Sequence, residues 1–475
     1  MSEIVFVVPP FDFGGFYKSY NKCPNLGIAI LASVLEKNGY SVKIIDAFAL
    51  ELKKDEVLRR VLKEDPKIVG ITSVTLNSDI AMGILRLVKE ANERIATVYG
   101  GPHATFAYNS ILDKEFIDYV VIGEGEYTML ELADLLIRKK GGQSKIKGIS
   151  YRKDGQITKT EPRPFVKDLD QLPFPAHHLL PMSAYRSNAY LDMKRKFFSV
   201  ITSRGCPYNC IFCTTPKIWG KWRTRSVKNV TEEILLLCEK YRVSQIFFKD
   251  DEFTVNREKV EGICDFIIEN NLDIIWECLG RVNDVDDRIL EKMYKAGCRA
   301  ISFGVETGYE EGLKRVRKGI TLDQVRSAVD LTKKHGIMAI TSFMLGFPWD
   351  GAEEMKKTIK FVRTLNSDIT EFNMLVPYLG TDMYELIKER KLFAEGLSSD
   401  LSNYSMHGKR PVIKTEHLTA RQLRYWRGRA YLEVFFNPRY IYNSLKRSKN
   451  SGSVERKSFA AIELLSTSLR DILDL

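Results

Sequence analysis

The sequence predicts an α/β protein with two successive domains of parallel sheet and a helical C-terminal region. Strand-like and helix-like runs alternate over residues 1–140 and again over 196–392, and such alternation is typical of parallel sheets covered by helices. A proline-rich stretch that suits neither a helix interior nor a central strand separates the two. The chain of 475 residues is also longer than one hydrophobic core usually supports.

Residues 1–140 predict a doubly wound sheet, whose ligands bind at the carboxyl ends of its strands. The candidate binding residues lie at the ends of the third and fourth strands: Ser73 and Thr75, then Gly100, Gly101 and His103. After the fifth strand, Gly123 and Glu124 open a helix whose N-terminus suits acids. No nucleotide-binding G-x-G-x-x-G follows the first strand. The predicted strands are Glu3–Val8, Ser41–Asp46, Ile68–Ser73, Ile95–Tyr99 and Tyr119–Ile122, and the predicted helices are Leu26–Asn38, Lys54–Glu64, Ser78–Asn92 and Glu126–Arg138.

Residues 141–195 predict a linker. Gly148–Arg152 and Ile157–Thr160 flank a turn-forming Lys153–Gln156, which indicates a β-hairpin. A proline-rich crossing follows and contains the pair His177–His178. No cysteine or carboxylate stands at ligand spacing from this pair, so we interpret it as loop sequence and not as a metal site.

Residues 196–392 predict six βα units, which fit an incomplete barrel with its site at the carboxyl ends of the strands. Polar or glycine-rich sequence follows each later strand, which makes Asp250, Asp251, Arg281, Glu306 and Gly346 candidate binding residues. The predicted strands are Phe197–Thr202, Gln245–Asp250, Asp273–Leu279, Ala300–Val305, Met338–Leu345 and Glu371–Val376.

The first of these six strands leads into a loop with three closely spaced cysteines, Cys206, Cys210 and Cys213. Three thiolates can each bind one iron of a four-iron cluster, and the fourth iron is then open to a small molecule with its own donor atoms. A structural zinc site is the alternative, but it requires four closed ligands and the loop offers no fourth. Phe212 places an aromatic ring beside the last cysteine.

This C-x3-C-x2-C run with an aromatic residue before the third cysteine resembles the radical S-adenosylmethionine (SAM) family. The resemblance implies a 4Fe–4S cluster that cleaves SAM reductively to a 5′-deoxyadenosyl radical. It also implies that Asp250 and Asp251 lie where the SAM amino group is held, Glu306 near the ribose and the backbone at Gly346 near the adenine. Either Arg281 or Lys318 is expected to bind the SAM carboxylate. We assign no protein acid or base as catalytic.

The first domain resembles the cobalamin-binding domain that precedes many radical SAM domains. Ser73 and Thr75 match its S-x-L position, Gly100–Gly101 match its Gly-Gly motif, and 24 residues separate Thr75 from Gly100. Gly123–Glu126 correspond to a run near the corrin tail. The D-x-H-x-x-G motif is missing, because Pro9–Gly15 stand in its place, so we expect cobalamin to bind without a lower-axial histidine. The alternative is a scaffold that has lost cobalamin.

Composition places the protein in the cytoplasm. No uncharged run is long enough for a transmembrane helix, we expect no signal peptide, and the five cysteines outside the cluster loop lack disulfide-like spacing. The net charge of +11 is spread along the chain, so we expect no nucleic-acid partner. Residues 393–475 are aromatic and basic, which predicts a small helical packing unit or, alternatively, peripheral contact with a membrane.

These features together predict a cobalamin-dependent radical SAM enzyme, in its commonest branch a methyltransferase that acts on an unactivated carbon and uses two SAM molecules per turnover. The alternatives are an enzyme of the same architecture that closes a ring, oxidises or rearranges its substrate, a radical SAM enzyme without cobalamin, and a sensor or carrier that holds the cofactors without catalysis. The expected partners are a reduced flavodoxin or ferredoxin-type electron donor and a small-molecule or lipid substrate.

Overall fold

The computed structural model of the chain describes residues 1–11, 21–188, 191, 195–395, 404, 410–438, 440 and 465–473. These residues group into two compact units, which are described separately below. The first contains Lys22–Tyr185 together with Met1–Asp12 and Lys217–Thr224, and the second contains the rest of the chain.

The sheet of the first unit has seven strands in the order β2-β1-β3-β4-β5-β6-β7. Neighbours among β1 to β5 are parallel, so the predicted doubly wound sheet is confirmed. The strand order reverses at β1, between β2 and β3, and ligands of such folds bind beside this reversal at the carboxyl ends. The strands are β1 Ile4–Val8, β2 Val42–Asp46, β3 Ile68–Thr72, β4 Ala96–Gly100, β5 Tyr119–Val121, β6 Ile149–Lys153 and β7 Gln156–Lys159.

The predicted hairpin is present as β6 and β7, and it extends this first sheet instead of lying apart from it. Tyr119 of β5 pairs with Tyr151 of β6 in antiparallel register, and the centres of the two tyrosine rings are 6.3 Å apart. Asp154 and Gly155 both have positive φ, at 51° and 78°, which is the geometry of a two-residue hairpin turn.

Five helices cover this sheet: α1 Leu26–Lys37, α2 Lys54–Glu64, α3 Ser78–Ala91, α4 Pro102–Leu112 and α5 Glu126–Leu136. Helix α4 is absent from our sequence-based list. It begins directly after Gly101, whose φ is 98°, and proline occupies its first turn, where a missing N–H costs nothing. The glycine-rich turn therefore leads straight from β4 into a helix.

The second unit contains a six-stranded parallel sheet in the order β15-β14-β13-β12-β11-β8, which confirms the predicted partial barrel. Its strands are β8 Phe197–Val200, β11 Gln245–Phe248, β12 Ile275–Gly280, β13 Cys298–Glu306, β14 Met338–Leu345 and β15 Ile369–Met374. The short strand β9 Ser203–Arg204 follows β8, and the next short strand in the chain, β10 Arg223–Thr224, belongs to the first unit. The helices that follow are α6 Thr215–Trp219, α7 Val227–Tyr241, α8 Arg257–Glu269, α9 Asp287–Lys295, α10 Glu310–Arg315, α11 Leu322–Lys334, α12 Ala352–Thr364 and α13 Asp382–Glu389.

Contacts with the helices identify the two faces of the barrel strands. The Trp276 indole donates to the carbonyl of Ala296 at the end of α9, at 2.7 Å. The rings of Phe343 and Phe361 of α12 are 6.3 Å apart, which places Phe343 on the same outer face. Because successive strand residues point to opposite faces, the neighbours of these outer residues, such as Glu277 and Ser342, point into the barrel.

The C-terminal region contains helix α14, Ala420–Phe435, which confirms the helical prediction. The Tyr431 hydroxyl donates to the carbonyl of Phe372 in β15 and accepts from the same residue's N–H, so α14 is fastened to the sheet edge. Trp426 and Arg427 are buried, and the Arg427 guanidinium pairs with Asp471 at 2.7 Å. Among the described residues, no helix is long and apolar enough to cross a bilayer.

Gly101 has the tightest surroundings of the candidate glycines in the first unit. A Cβ there would lie 2.6 Å from both the Ser73 carbonyl and the Thr72 hydroxyl, whereas a Cβ on Gly123 would meet nothing within 4 Å. Both residues have positive φ, so alanine is strained at either position. We expect Gly101→Ala to destabilise the protein by about 2 kcal/mol more than Gly123→Ala.

The midpoints of urea unfolding of the two cofactor-free variants, followed by circular dichroism, test this expectation. Equal midpoints would contradict the tight approach of the Gly-Gly turn to β3.

Candidate active site

The cysteine loop is held from both sides by backbone hydrogen bonds. Gly205 makes the entry turn with φ of 87°. The Ile211 N–H donates to the carbonyl of Val316 at 3.2 Å, and the Ile211 carbonyl accepts from the Met383 N–H at 2.9 Å. All three predicted cluster ligands are free thiols, with Cys210 the most buried. The loop therefore reaches the carboxyl edge of the sheet already shaped.

Asp250, which follows β11, fastens the start of this loop. Its carboxylate accepts hydrogen bonds from the Thr202 N–H at 3.1 Å, from the Thr202 hydroxyl at 2.9 Å and from the Ser203 hydroxyl. Lys259 donates to the same Thr202 hydroxyl at 2.7 Å. The side chain that the sequence predicted as a SAM contact is thus already saturated by donors that precede the first cysteine.

The neighbouring Asp251 has fewer partners. It accepts from the Thr215 hydroxyl at 3.2 Å, just beyond Cys213. It also has a backbone hydrogen bond from Gly205, directly before Cys206, so Asp251 contacts both ends of the cysteine loop.

The surroundings of the three thiols fit a bound cation cluster. Burial raises the pKa of each thiol, that of Cys206 to about 12, and thiolates at such a place require nearby positive charge, which iron supplies. Within the described ranges, no three His, Cys, Asp or Glu side chains are grouped around one point as ligands of a single ion. A four-iron cluster does not need such a group, because each thiolate binds a different iron.

Arg281 is the clearest sign of a missing ligand. It is 3% exposed, and its Nε and Nη2 atoms have no hydrogen-bond partner among the described residues. Its guanidinium stacks on the ring of Tyr208, in the cysteine loop, at 3.5 Å from the centroid. A buried, always-charged group without partners is costly, so the site is built to receive an anion.

Lys318, the other predicted partner for a carboxylate, is already paired. Its ammonium lies 2.8 Å from the Glu306 carboxylate, and both side chains are largely buried. Glu306 has an unusual φ of 77° at a register shift between β13 and β14, and such strain is concentrated at functional sites. A Cβ on Gly304 would lie 2.6 Å from the Glu306 carboxylate, so this glycine makes room for the pair.

Glu252 is a site residue that our sequence interpretation missed. It is 9% exposed, and burial raises its pKa to about 7, against the lowering effect of Lys318. Its carboxylate accepts from the Thr254 hydroxyl at 3.1 Å. The signal was present in the run Asp250–Glu252, but a sequence does not show which of three adjacent acids is left with few donors.

Gly346 begins a tight turn after β14. Its N–H and that of Phe347 donate to the Asp350 carboxylate, at 3.2 and 3.0 Å. Burial raises the pKa of Asp350 to about 6. The ring of Phe347 lies 6.2 Å from that of Phe212, so this turn packs against the cysteine loop.

In the first unit, a chain of hydroxyls lines the end of β3. The Tyr99 hydroxyl lies 2.5 Å from that of Ser73 and 2.9 Å from that of Ser78. The Ser73 carbonyl accepts from the His103 N–H at 3.3 Å, which brings the predicted serine and Gly-Gly motifs together. Gly100 has no other atom closer than 3.8 Å to a Cβ position, so the backbone edge here is accessible to a flat ligand.

His103 and Thr75 are also neighbours, with the imidazole Nδ1 3.2 Å from the Thr75 hydroxyl. His103 is 5% exposed, and burial lowers its pKa to about 4, so the ring is neutral. Small, neutral and hydroxyl-bearing residues at this edge fit cobalamin as a ligand.

Gly123 and Glu124 differ from each other. Gly123 is open, whereas the buried Glu124 carboxylate accepts from the Val166 N–H at 2.7 Å and pairs with Arg223 at 2.9 Å. Glu124 therefore holds the chain in place at this edge.

Replacement of Asp250 separates its structural part from ligand binding. The three donors share one carboxylate oxygen, and the Thr202 N–H also lies 3.2 Å from the second oxygen. Asparagine replaces that second oxygen by an NH2 donor that faces the Thr202 N–H, at a cost of about 1–3 kcal/mol. We expect Asp250→Asn to retain much less iron than wild type after anaerobic reconstitution and desalting, and Asp251→Asn, with fewer bonds to lose, to retain nearly the wild-type amount. Equal iron in the two variants would contradict the role of Asp250 in shaping the loop.

Family models match both parts of the chain. The radical SAM superfamily model matches residues 200–362, and the B12 binding domain model matches residues 16–133. The first match contains the three cysteines and most of the barrel strands, and the second contains the Ser73 and Gly-Gly motifs.

Similar proteins cover nearly the whole chain. An uncharacterized methyltransferase of Pyrococcus horikoshii, PH0819, is 35% identical over 93% of this chain and 94% of its own. An anaerobic magnesium-protoporphyrin IX monomethyl ester cyclase of Rubrivivax gelatinosus is 30% identical over 96% of this chain and 84% of its own.

Among solved structures, the cobalamin-dependent SAM radical enzyme OxsB, with aqua-cobalamin and SAM bound, matches with a TM-score of 0.75, at 17% identity, over 100% of this chain and 72% of that one. At this identity the match shows a shared fold. The three-cysteine loop and the two family matches assign the cofactors as a 4Fe–4S cluster, SAM and cobalamin, and the enzyme requires a reductant and a small-molecule substrate. The chain belongs to the radical SAM superfamily, as an enzyme with an N-terminal B12-binding domain.

Proposed function

We propose that this enzyme transfers a methyl group to an unactivated carbon of a small molecule, with cobalamin as the methyl carrier. One observation carries the proposal: a B12-binding domain and a three-cysteine radical SAM barrel occur in the same chain. The Pyrococcus relative of nearly equal extent, named as a methyltransferase, supports it.

When bound, the cluster with SAM supplies a radical that removes a hydrogen atom, and cobalamin supplies the methyl group. The protein's own residues position these groups and exclude water. We propose Cys206, Cys210 and Cys213 as the cluster ligands and Phe212 as the ring that closes the loop against Phe347, because the two rings already pack together.

For the SAM carboxylate we propose Arg281. Its Nε and Nη2 atoms are buried without partners, whereas the alternative, Lys318, has its charge met by Glu306. Planar guanidinium groups also bind carboxylates through two parallel hydrogen bonds. Arg281 stacks on Tyr208 of the cysteine loop, which supports a place for it beside the open iron.

For the rest of SAM we propose three contacts. The acids after β11 hold its amino group, with Asp251 and Glu252 better placed than Asp250, whose carboxylate is occupied. Glu306 contacts the ribose, and the backbone at Gly346 contacts the adenine.

For cobalamin we propose the edge formed by β3, β4 and β5. Ser73, Thr75, Gly100, Gly101, His103 and Gly123 contact the ligand, and Glu124 acts through its bonds to Val166 and Arg223. His103 is the only histidine in residues 1–140 and is engaged by Thr75. This pairing supports binding of cobalamin without a lower-axial histidine.

Ring closure without methyl transfer is the second candidate. It is favoured by the Rubrivivax relative, which is named as a cyclase. The two candidates differ in whether a methyl group of SAM appears in the product.

We propose a reduced flavodoxin or ferredoxin as the electron donor. We also propose the cytoplasm as the location, which is supported by the fact that all eight cysteines are free thiols. Peripheral membrane contact draws no support from α14, where Trp426 and Arg427 are buried. The other aromatic and basic run, at residues 437–442, lies partly outside the described residues, which include 437, 438 and 440 of it.

Methyl transfer is tested with SAM that carries a 13C-methyl group. Reconstituted enzyme with cobalamin and reductant is incubated anaerobically with fractionated metabolite extract, and the products are followed by mass spectrometry. We expect a metabolite that gains one labelled methyl group, with S-adenosylhomocysteine and 5′-deoxyadenosine formed in equal amounts with it. Cys210→Ala, which cannot complete the cluster, should form none of the three.

Formation of 5′-deoxyadenosine with an unlabelled product and no S-adenosylhomocysteine would contradict methyl transfer and favour the cyclase alternative.

A further inference from the structure

The inner face of the barrel carries an isolated polar group near the carboxyl ends of β14 and β15. Ser342 is paired in register with Glu371, and Met344 with Asn373. The Tyr431 ring of α14 packs at 5.1 Å against Phe372 on the outer face. Glu371 and Asn373, the two neighbours of Phe372, therefore point into the barrel.

Two acceptors of this group have no partner in the part of the chain that the structure describes. Asn373 is 7% exposed; its amide nitrogen donates to the Ser342 hydroxyl at 2.8 Å, but its Oδ1 atom is buried without a hydrogen bond. The Glu371 carboxyl group, which is partly exposed, also has no hydrogen bond or ion pair to described residues. Burial of the Asn373 oxygen is unfavourable unless a donor meets it.

The described residues of the neighbouring layers supply no such donor. Below the group lies an apolar floor in which Leu191 packs with Ala300, Ile340 and Ile369. Above it, Met344 packs with the cluster of Ile211 and Phe347, which also includes Phe212 of the cysteine loop. The acceptors therefore lie between an apolar floor and the loop that carries the cluster cysteines.

The barrel strands themselves bring no positive charge to the same inner face. Arg299 is the only lysine or arginine in the six barrel strands, all of which are fully described. It donates to the carbonyl of Tyr294 in α9, on the outer face. An anionic substrate group would meet an uncompensated acid here, whereas a donor group would meet two free acceptors.

We infer that Glu371 and Asn373, with Ser342 orienting the Asn373 amide, bind a hydrogen-bond-donor group of the substrate, a hydroxyl or an ammonium, and exclude a carboxylate or phosphate. This rests on the proposed function, because it places the substrate within the barrel beside the cluster loop. Burial raises the pKa of Glu371 to about 7, which fits a carboxyl group whose charge is met only when the ligand is bound.

Three probes that share one ring test the inference: cyclohexylmethanol, cyclohexylmethylamine and cyclohexanecarboxylate. Their binding to the holoenzyme with cluster, cobalamin and SAM, without reductant, is measured anaerobically by titration calorimetry. We expect saturable binding of the amine or the alcohol and none of the carboxylate. If the amine binds more tightly than the alcohol, the substrate group is an ammonium. If the alcohol binds more tightly, the group is a hydroxyl.

Glu371→Gln keeps an acceptor oxygen but removes the charge. It should lower the affinity for the amine by about ten-fold and the affinity for the alcohol much less, because hydrogen bonds to charged groups are stronger than those between neutral groups. Asn373→Ala should weaken both donors. Glu277→Gln is the matched control, because Glu277 is an acid of the same inner face whose carboxylate is already bonded by the Asn188 amide at 3.2 Å; it should leave both affinities unchanged.

Unchanged wild-type iron and cobalamin content in each variant shows that it is folded. The inference is overturned if the carboxylate binds as tightly as the donors, if neither donor binds saturably, or if Glu371→Gln and Glu277→Gln behave alike. Labelled-methyl turnover in the same preparation reports on the proposed function separately, because methyl transfer without donor binding contradicts only the inference, and donor binding without methyl transfer contradicts only the proposed function.

Discussion

The second unit depends on one buried carboxylate, that of Asp250. Asp250 follows β11, the neighbour of β8 in the sheet, and accepts hydrogen bonds from the N–H and hydroxyl of Thr202 and from the hydroxyl of Ser203. These donors lie where β8 gives way to the cysteine loop, so a single acid sets the direction in which the loop leaves the sheet. Lys259 joins the same network by donating to the Thr202 hydroxyl. The geometry of the three cysteines follows from this anchor.

Charge is segregated within the barrel. At the loop, Arg281, Lys318, Glu306 and Glu252 form a mixed group in which the arginine has two buried nitrogen atoms without a partner among the described residues, whereas Lys318 is paired with Glu306. Deeper in, the strand faces carry acids and small polar residues over an apolar floor. A zwitterionic cofactor suits the first environment and a donor-bearing substrate the second, so the two ligands are distinguished by charge before they are distinguished by shape.

The fold followed from local patterns. Strand and helix periodicities are short-range, and a cysteine run at fixed spacing after a strand is one contiguous signal, so both sheets and the loop were predictable. The hairpin was recognised, but its pairing with β5 was not, because Tyr119 and Tyr151 are far apart in the chain. Helix α4 was missed because Gly101 and Pro102 are loop-forming residues in most contexts.

Within the site, the sequence named the right strand ends without ranking the side chains. The sequence did not distinguish Arg281 from Lys318 as the partner of the SAM carboxylate. The contact of Lys318 with Glu306 in the structure distinguishes them. Glu371 was placed at the start of a strand and given no role, because an acid there is normally a surface residue. Its significance depends on partners that are missing in three dimensions, which no pattern of neighbours in the chain records.

The central claim is that one chain holds both a cluster and cobalamin. The most direct test is the iron and cobalt content, per chain, of protein reconstituted anaerobically with hydroxocobalamin and freed of unbound ligand, together with its visible spectrum. The account predicts about four iron atoms with cobalt equal to the protein, and a spectrum without a nitrogenous lower ligand. Iron at that level without cobalt would contradict it and would reduce the first unit to a scaffold.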